Sequence, residues 1–138
     1  MSRHRSRELA VQYSYQVDFQ PKTAFDTRPV ERFWQEQARA SNDDRAFFDL
    51  LIQGLIENLP QIDSEITKYL KNWRMDRLEK VDLAILRVAV FEMLYSQDVE
   101  KPDAPVVINE ALNIAKKFGN KDSASFINGI LDAIHKSR

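Results

Sequence analysis

The sequence predicts an all-α protein, residues 1–138 forming a single domain of about seven helices around one central apolar helix. Three observations carry this. Apolar residues recur at spacings of three and four, the period of a helix, rather than at two. Only three glycines and five prolines interrupt the 138 residues. The stretch VDLAILRVAVFEMLY (81–95) is apolar at twelve of its fifteen positions. Its polar members Asp82, Arg87 and Glu92 lie about 140° apart around a helix axis, so the helix has no broad wet face and other helices must surround it.

The elements follow in order. A first helix is expected from Arg3 to Asp18, with Leu9, Tyr13 and Val17 on one stripe, ended by Gln20-Pro21. Thr27 and Pro29 suit a second start, because proline in the first turn gives up an amide that would be unpaired anyway. Val30, Phe33, Trp34 and Ala38 form its inner face. The run SNDD (41–44) supplies capping oxygens and negative charge for a third helix, in which Phe48, Leu51, Ile52, Leu55, Ile56 and Leu59 face inward. Pro60 marks its end. A short helix from Gln61 carries Ile62, Ile66, Tyr69 and Leu70, and KNWRMDRLEKVD leads into the central helix. Asp103 to Pro105 begin another, which runs to Gly119. Asp122 or Ser123 caps the last, bearing Phe126, Ile127, Ile130, Leu131 and Ile134.

Composition removes several classes of function. With no cysteine, the chain has neither disulfides nor thiolate metal sites and suits a reducing cytoplasm. No apolar run of signal-peptide or membrane-spanning length is present, so a cytoplasmic protein without membrane insertion is expected. Three glycines cannot assemble a phosphate-cradling GxxxxGK[ST] loop or a GxGxxG fingerprint. The two histidines, His4 and His135, stand at opposite ends of the sequence, which argues against a metal centre. Carboxylates abound but have no catalytic anchor, and Asp43-Asp44 reads first as a helix start. The expectation is a protein that is not an enzyme and uses no cofactor and no metal.

One feature is concentrated. Arg3, Arg5 and Arg7 crowd the opening turn in a chain of net charge −1. Like charges at a helix N-terminus repel each other and oppose the macrodipole, so local stability does not explain them. A polyanion would, since phosphates are drawn both to guanidinium forks and to the unpaired amides of that terminus. Lys116, Lys117 and Lys121 flank the turn FGNKDS as a second, weaker basic feature. Four residues read as architecture. Arg87 calls for a carboxylate from a neighbouring helix, Glu110 or Asp132. Gly129 suits a close helix crossing, and Asn109 and Asn128 suit hydrogen bonds to a neighbouring backbone.

Four segments together, RSRELAVQ (5–12), VDLAILRVAVFEML (81–94), VVINEALNIAKKFG (106–119) and DSASFINGILDAI (122–134), resemble the NusB family of bacterial transcription antitermination factors. The resemblance runs from end to end of the chain. It implies an all-helical fold of seven helices in two subdomains and a non-enzymatic role. That role is binding boxA-type single-stranded RNA with the small-subunit ribosomal protein NusE, within the RNA polymerase antitermination complex of ribosomal RNA operons. Matched position by position, it implies RNA contacts at Arg3, His4, Arg5, Arg7 and Gln12, with His4 where an arginine is often found. The turn before the last helix adds Lys117, Asn120, Lys121 and Asp122. Tyr15 and Asp82 match positions that face the protein partner, and Phe126 could stack on a base, although its spacing with Ile130 favours the core. Phosphate contacts by three arginines and one or two lysines would give a slope of log affinity against log salt of roughly −2 to −4. A helical protein-interaction adaptor without RNA is the alternative, and a homodimer through an exposed apolar patch is compatible with the sequence. An RNA methyltransferase, to which such domains are also found fused, would need a cofactor domain that 138 residues do not hold.

Overall fold

The computed structural model describes residues 3–17, 27–37, 44–71, 75–98 and 101–138, with backbone alone for 27–29. Helices α1 (Arg3–Val17), α2 (Thr27–Gln37), α3 (Arg45–Glu57), α4 (Leu59–Thr67), α5 (Lys80–Val90), α6 (Ala104–Phe118) and α7 (Ser123–Lys136) account for most of it, and no strand occurs among the described residues. A 3-10 turn, Met75–Arg77, precedes α5, and a π turn, Phe91–Tyr95, continues it. Helix α5 is the centre: it packs against α1, α3, α4, α6 and α7. From Ala84 to Met93 every residue is buried, Arg87 and Glu92 included. That is the outcome an apolar helix without a wet face requires.

Helix ends follow local chemistry. Asp44 caps α3, its Oδ1 accepting from the Phe47 amide at 2.9 Å. Pro105 sits in the first turn of α6, and the Gly119 amide closes that helix on the Ala115 carbonyl at 2.8 Å. The last helix begins after Asp122, which forms no side-chain cap. Instead the Ser123 hydroxyl accepts from the Asn120 amide (3.0 Å), and the Asn120 side chain accepts from the Asp122 amide (2.8 Å). The Gln20-Pro21 stop, Asp18, Ala38 and the first three residues of SNDD lie outside the described residues.

Aromatic packing joins α1, α2 and α3. Tyr13 meets Phe33 edge to face with centroids 5.2 Å apart, Phe33 stacks on Phe48 at 6.0 Å, and Trp34 covers Phe48 at 4.9 Å. Such pairs are worth about 0.5–1.5 kcal/mol each beyond their buried area.

Four expectations are corrected. Pro60 does not end the third helix but occupies the first turn of α4, where its missing amide leaves no orphan. The break falls at Asn58, whose amide and Nδ2 both donate to the Gly54 carbonyl, at 3.0 and 2.8 Å. Arg87 pairs with Asp63 of α4 through two bonds of 2.9 Å, not with Glu110 or Asp132. Glu110 is held by His4 and Arg7, and Asp132 by Lys136 one turn on. The close crossing is at Gly54 rather than Gly129. A Cβ on Gly54 would lie 2.2 Å from the Phe91 ring, whereas one on Gly129 would meet nothing within 4 Å. Asn109 and Asn128 point to solvent.

Candidate RNA-facing site

The opening arginines are not a solvated arm: each holds a carboxylate, brought by the fold to Arg3 and Arg7 and supplied by the same helix to Arg5. Arg3 lies over the Phe47 ring at 4.3 Å, bonds Asp98 at 2.8 Å and stands 3.5 Å from Asp44. Arg5 donates to Glu8 at 3.1 Å, three residues along the same helix. Arg7 is buried against the core. Only 7% of its side chain is exposed, and it forks onto the equally buried Glu92 with bonds of 2.7 and 3.0 Å. The π turn that carries Glu92 aims this carboxylate back at α1. Tertiary partners, not a ligand, thus explain much of a cluster that local helix energetics disfavours.

Around Glu8 the two basic features meet. Its carboxylate is 5% exposed, and three basic side chains converge on it: Arg5 at 3.1 Å, His4 Nε2 at 3.2 Å, and Lys117 Nζ at 3.2 Å from the last turn of α6. Lys117 is 109 residues away in sequence. The His4 Nδ1 meets Glu110, so the imidazole bridges α1 and α6. Burial would push the Glu8 carboxyl up, but hydrogen bonds from Arg5 and Lys117, with the charges of Lys117 and His4, hold it below the usual carboxylate value.

Two clefts flank the start of α5. One, of about 270 Å³, is lined by Arg77, Glu79, Asp82, Asn120, Asp122 and Phe126. Asp82 is buried, and its Oδ1 has no hydrogen-bond partner among the described residues. Burial pushes this carboxyl up; a hydrogen bond with Ser123 draws it back, and the charge of Glu79 adds to the rise. The other, of about 370 Å³, is lined by Gln12, Tyr15, Gln16, Gln37, Val81 and Phe118. Tyr15 is 48% exposed at its edge, and Gln12 is half-buried. Lys121 is exposed in the turn before α7.

The structure therefore gathers His4, Arg5 and Lys117 at one point and sets Asn120, Asp122 and Asp82 around one cleft, while Gln12 and Tyr15 share the second. Sequence reasoning missed Glu8, although its spacing of three from Arg5 and four from His4 was a readable signal. It also missed that Asp44, Glu92, Asp98 and Glu110 answer the opening basic residues, an approach that needs the tertiary fold. Among the described residues no group of three or more His, Asp and Glu side chains is placed to hold a metal ion. Nor is any helix there long and apolar enough to cross a membrane.

An all-helical body presenting cations from two remote segments beside polar clefts defines a macromolecule-binding module. Comparisons with known proteins make the class particular. The NusB family model matches residues 4–136. The chain is 46% identical to the transcription antitermination protein NusB of Geobacter sp. (strain M21), over 96% of this chain and 93% of that protein. It is 39% identical to that of Thermodesulfovibrio yellowstonii, over 99% and 93%. In structure it superposes on T. maritima NusB with a TM-score of 0.79 at 33% identity, covering 100% and 93%. On the NusB of a crystal structure of antitermination factors NusB and NusE in complex with dsRNA the TM-score is 0.81 at 25% identity, covering all of both chains. The chain belongs to the NusB family.

Proposed function

We propose that this chain is a non-enzymatic, RNA-binding transcription antitermination factor of the cytoplasm. It binds boxA-type single-stranded RNA together with the ribosomal protein NusE, as part of an RNA polymerase antitermination complex that acts notably on ribosomal RNA operons. The observation that carries this reading is the convergence of His4, Arg5 and Lys117 at Glu8, which makes one basic face from two segments that are separately unremarkable. The neighbouring turn adds Lys121, Asn120 and Asp122, with Arg3 at the outer end of α1 and Gln12 further along it. Tyr15 and Asp82, beside the two clefts, are the residues assigned to the protein partner. A structural neighbour solved with NusE and RNA supports both partner classes.

Affinity then comes from phosphate contacts, and specificity from base edges and from the partner. With Arg7 in the core, three or four cations remain, and log affinity should fall against log salt with a slope of roughly −2 to −3. That is weak binding alone, and a partner adding its own contacts on the same surface raises it through effective concentration. The test is fluorescence anisotropy of a labelled boxA-type single strand, a scrambled strand and a duplex, with and without NusE, over a salt series. Selective binding of the boxA strand strengthened by NusE is expected. No selectivity in a folded protein with NusE present would refute the proposal.

A second reading, a helical adaptor without an RNA ligand, is favoured by one observation: Arg3, Arg5 and Arg7 each hold a carboxylate of the same chain. Removing residues 2–7 cannot separate the readings, because Ser6 and Arg7 are buried. Lys117→Gln with Lys121→Gln can. The adaptor keeps its protein partner and loses nothing, whereas the RNA factor loses RNA affinity with its fold intact.

A further inference from the structure

Glu8 carries negative charge in the middle of a surface proposed to meet a polyanion, which at first sight is a fault. Its depth decides otherwise. The carboxylate is 5% exposed, while the side chains of His4, Arg5 and Lys117 above it are 42%, 30% and 56% exposed. An anion reaching this face from solvent meets the cations and not the carboxylate. Three groups are drawn to within 3.1–3.3 Å of one acceptor, and the two permanent cations among them, Arg5 and Lys117, would repel each other if that acceptor were neutral. Two of the three stand on the first turns of α1 and the third on the last turn of α6, and a flexible lysine held at one point loses rotamer freedom before the ligand arrives rather than on binding. An ammonium has three donors, and the two Glu8 oxygens take at most two of those of Lys117.

From this arrangement we infer that Glu8 is a positioning residue for the RNA: it fixes Lys117 against Arg5 and His4 so that the two helices offer adjacent phosphates of one strand a single preformed cationic site. The inference rests on the proposed RNA reading. It assigns to a buried acid a role in binding an anion that simple charge counting would give the opposite sign. Charge counting says that removing Glu8 adds a net positive charge to the face and tightens RNA binding. Positioning says that removing it releases Lys117 and weakens binding.

The experiment is anisotropy of the boxA-type strand over a salt series for the unchanged chain, Glu8→Gln, Lys117→Gln and the double variant, with folding checked by circular dichroism. Expected for Glu8→Gln is an affinity lower by roughly 3–10-fold and a salt slope shallower by about 0.7, the worth of one single-strand phosphate contact. Lys117→Gln should then add less than about 2-fold in the Glu8→Gln background, because its contact is already lost. A purely structural role for Glu8 would lower stability without moving the slope. Affinity equal to or tighter than that of the unchanged chain, with an equal or steeper slope, overturns the inference and leaves the RNA reading standing. If Glu8→Gln fails to fold, Arg5→Gln, Lys117→Gln and their double variant decide: coupling beyond about 2-fold supports a shared site, and strict additivity overturns it. No RNA binding by the unchanged chain removes the functional reading, and this inference with it.

Discussion

Replacing Arg7 by methionine tests the assignment of this residue to the core rather than to a ligand. The side chains of Arg7 and Glu92 are 7% and 3% exposed, and their fork has bonds of 2.7 and 3.0 Å. Methionine keeps much of the volume but leaves Glu92 as a buried charge without its partner, a change that costs about 3–5 kcal/mol. Loss of the guanidinium from its place 5.0 Å from the Phe47 ring adds to this. For 138 residues the unfolding entropy is about 0.29 kcal/mol/K, so the midpoint should drop by roughly 10–17 °C. Urea titration and thermal melts read the loss. The companion variant, Arg7→Met with Glu92→Met, removes both charges and should recover to within about 1 kcal/mol of the unchanged protein, since an apolar pair of similar volume replaces a buried ion pair at little cost. RNA affinity per folded molecule should stay within about 2-fold in both, below the worth of a phosphate contact. A loss under about 1 kcal/mol in the single variant, or a double variant as unstable as the single one, would refute the reasoning.

Other perturbations have definite outcomes. Gly54→Ala forces a methyl to within 2.2 Å of the Phe91 ring and should destabilise by about 1–3 kcal/mol despite alanine's better helix propensity, as denaturant midpoints will record. Asp44→Ala removes the cap on the Phe47 amide and a carboxylate near Arg3, with about 1 kcal/mol expected in the same assay. For Asp82 the folded carboxyl titrates above its ordinary 3.8, so stability falls as pH rises through that interval. Asp82→Asn should therefore be the more stable protein at pH 7, with its advantage vanishing as pH drops to 3.8; an advantage independent of pH would count against the burial argument.

What was legible in the sequence was what depends on near neighbours. Asp44 and Gly119 mark helix ends through bonds to residues three and four away, Pro105 through the amide it lacks, and all three stand at helix ends in the structure. Burial of α5 was legible too, because twelve apolar side chains in fifteen leave no alternative. Partners were not. The fork of Arg87 onto Asp63 depends on how α4 lies along α5, and a charge alone does not say which neighbouring helix answers it. Gly54 and Gly129 both stand within helices, and only the position of the Phe91 ring separates a crossing from an open surface. In the site, the opening arginines announced a charge cluster correctly, but which of them faced inward was set by Glu92, 85 residues further on.

The contacts of α1 also bear on how the molecule comes into being. Arg3 is joined to a residue 95 positions ahead, His4 to one 106 ahead and Lys117 to one 109 behind. During synthesis at about 5–20 residues per second, the first helix emerges and waits roughly 5–20 s before its last charged partners exist. Its aromatic and aliphatic side chains can settle on α3 in that interval, but its ionic clasp cannot close. Final locking is therefore a late event, and this helical bundle should mature more slowly than one whose contacts are local.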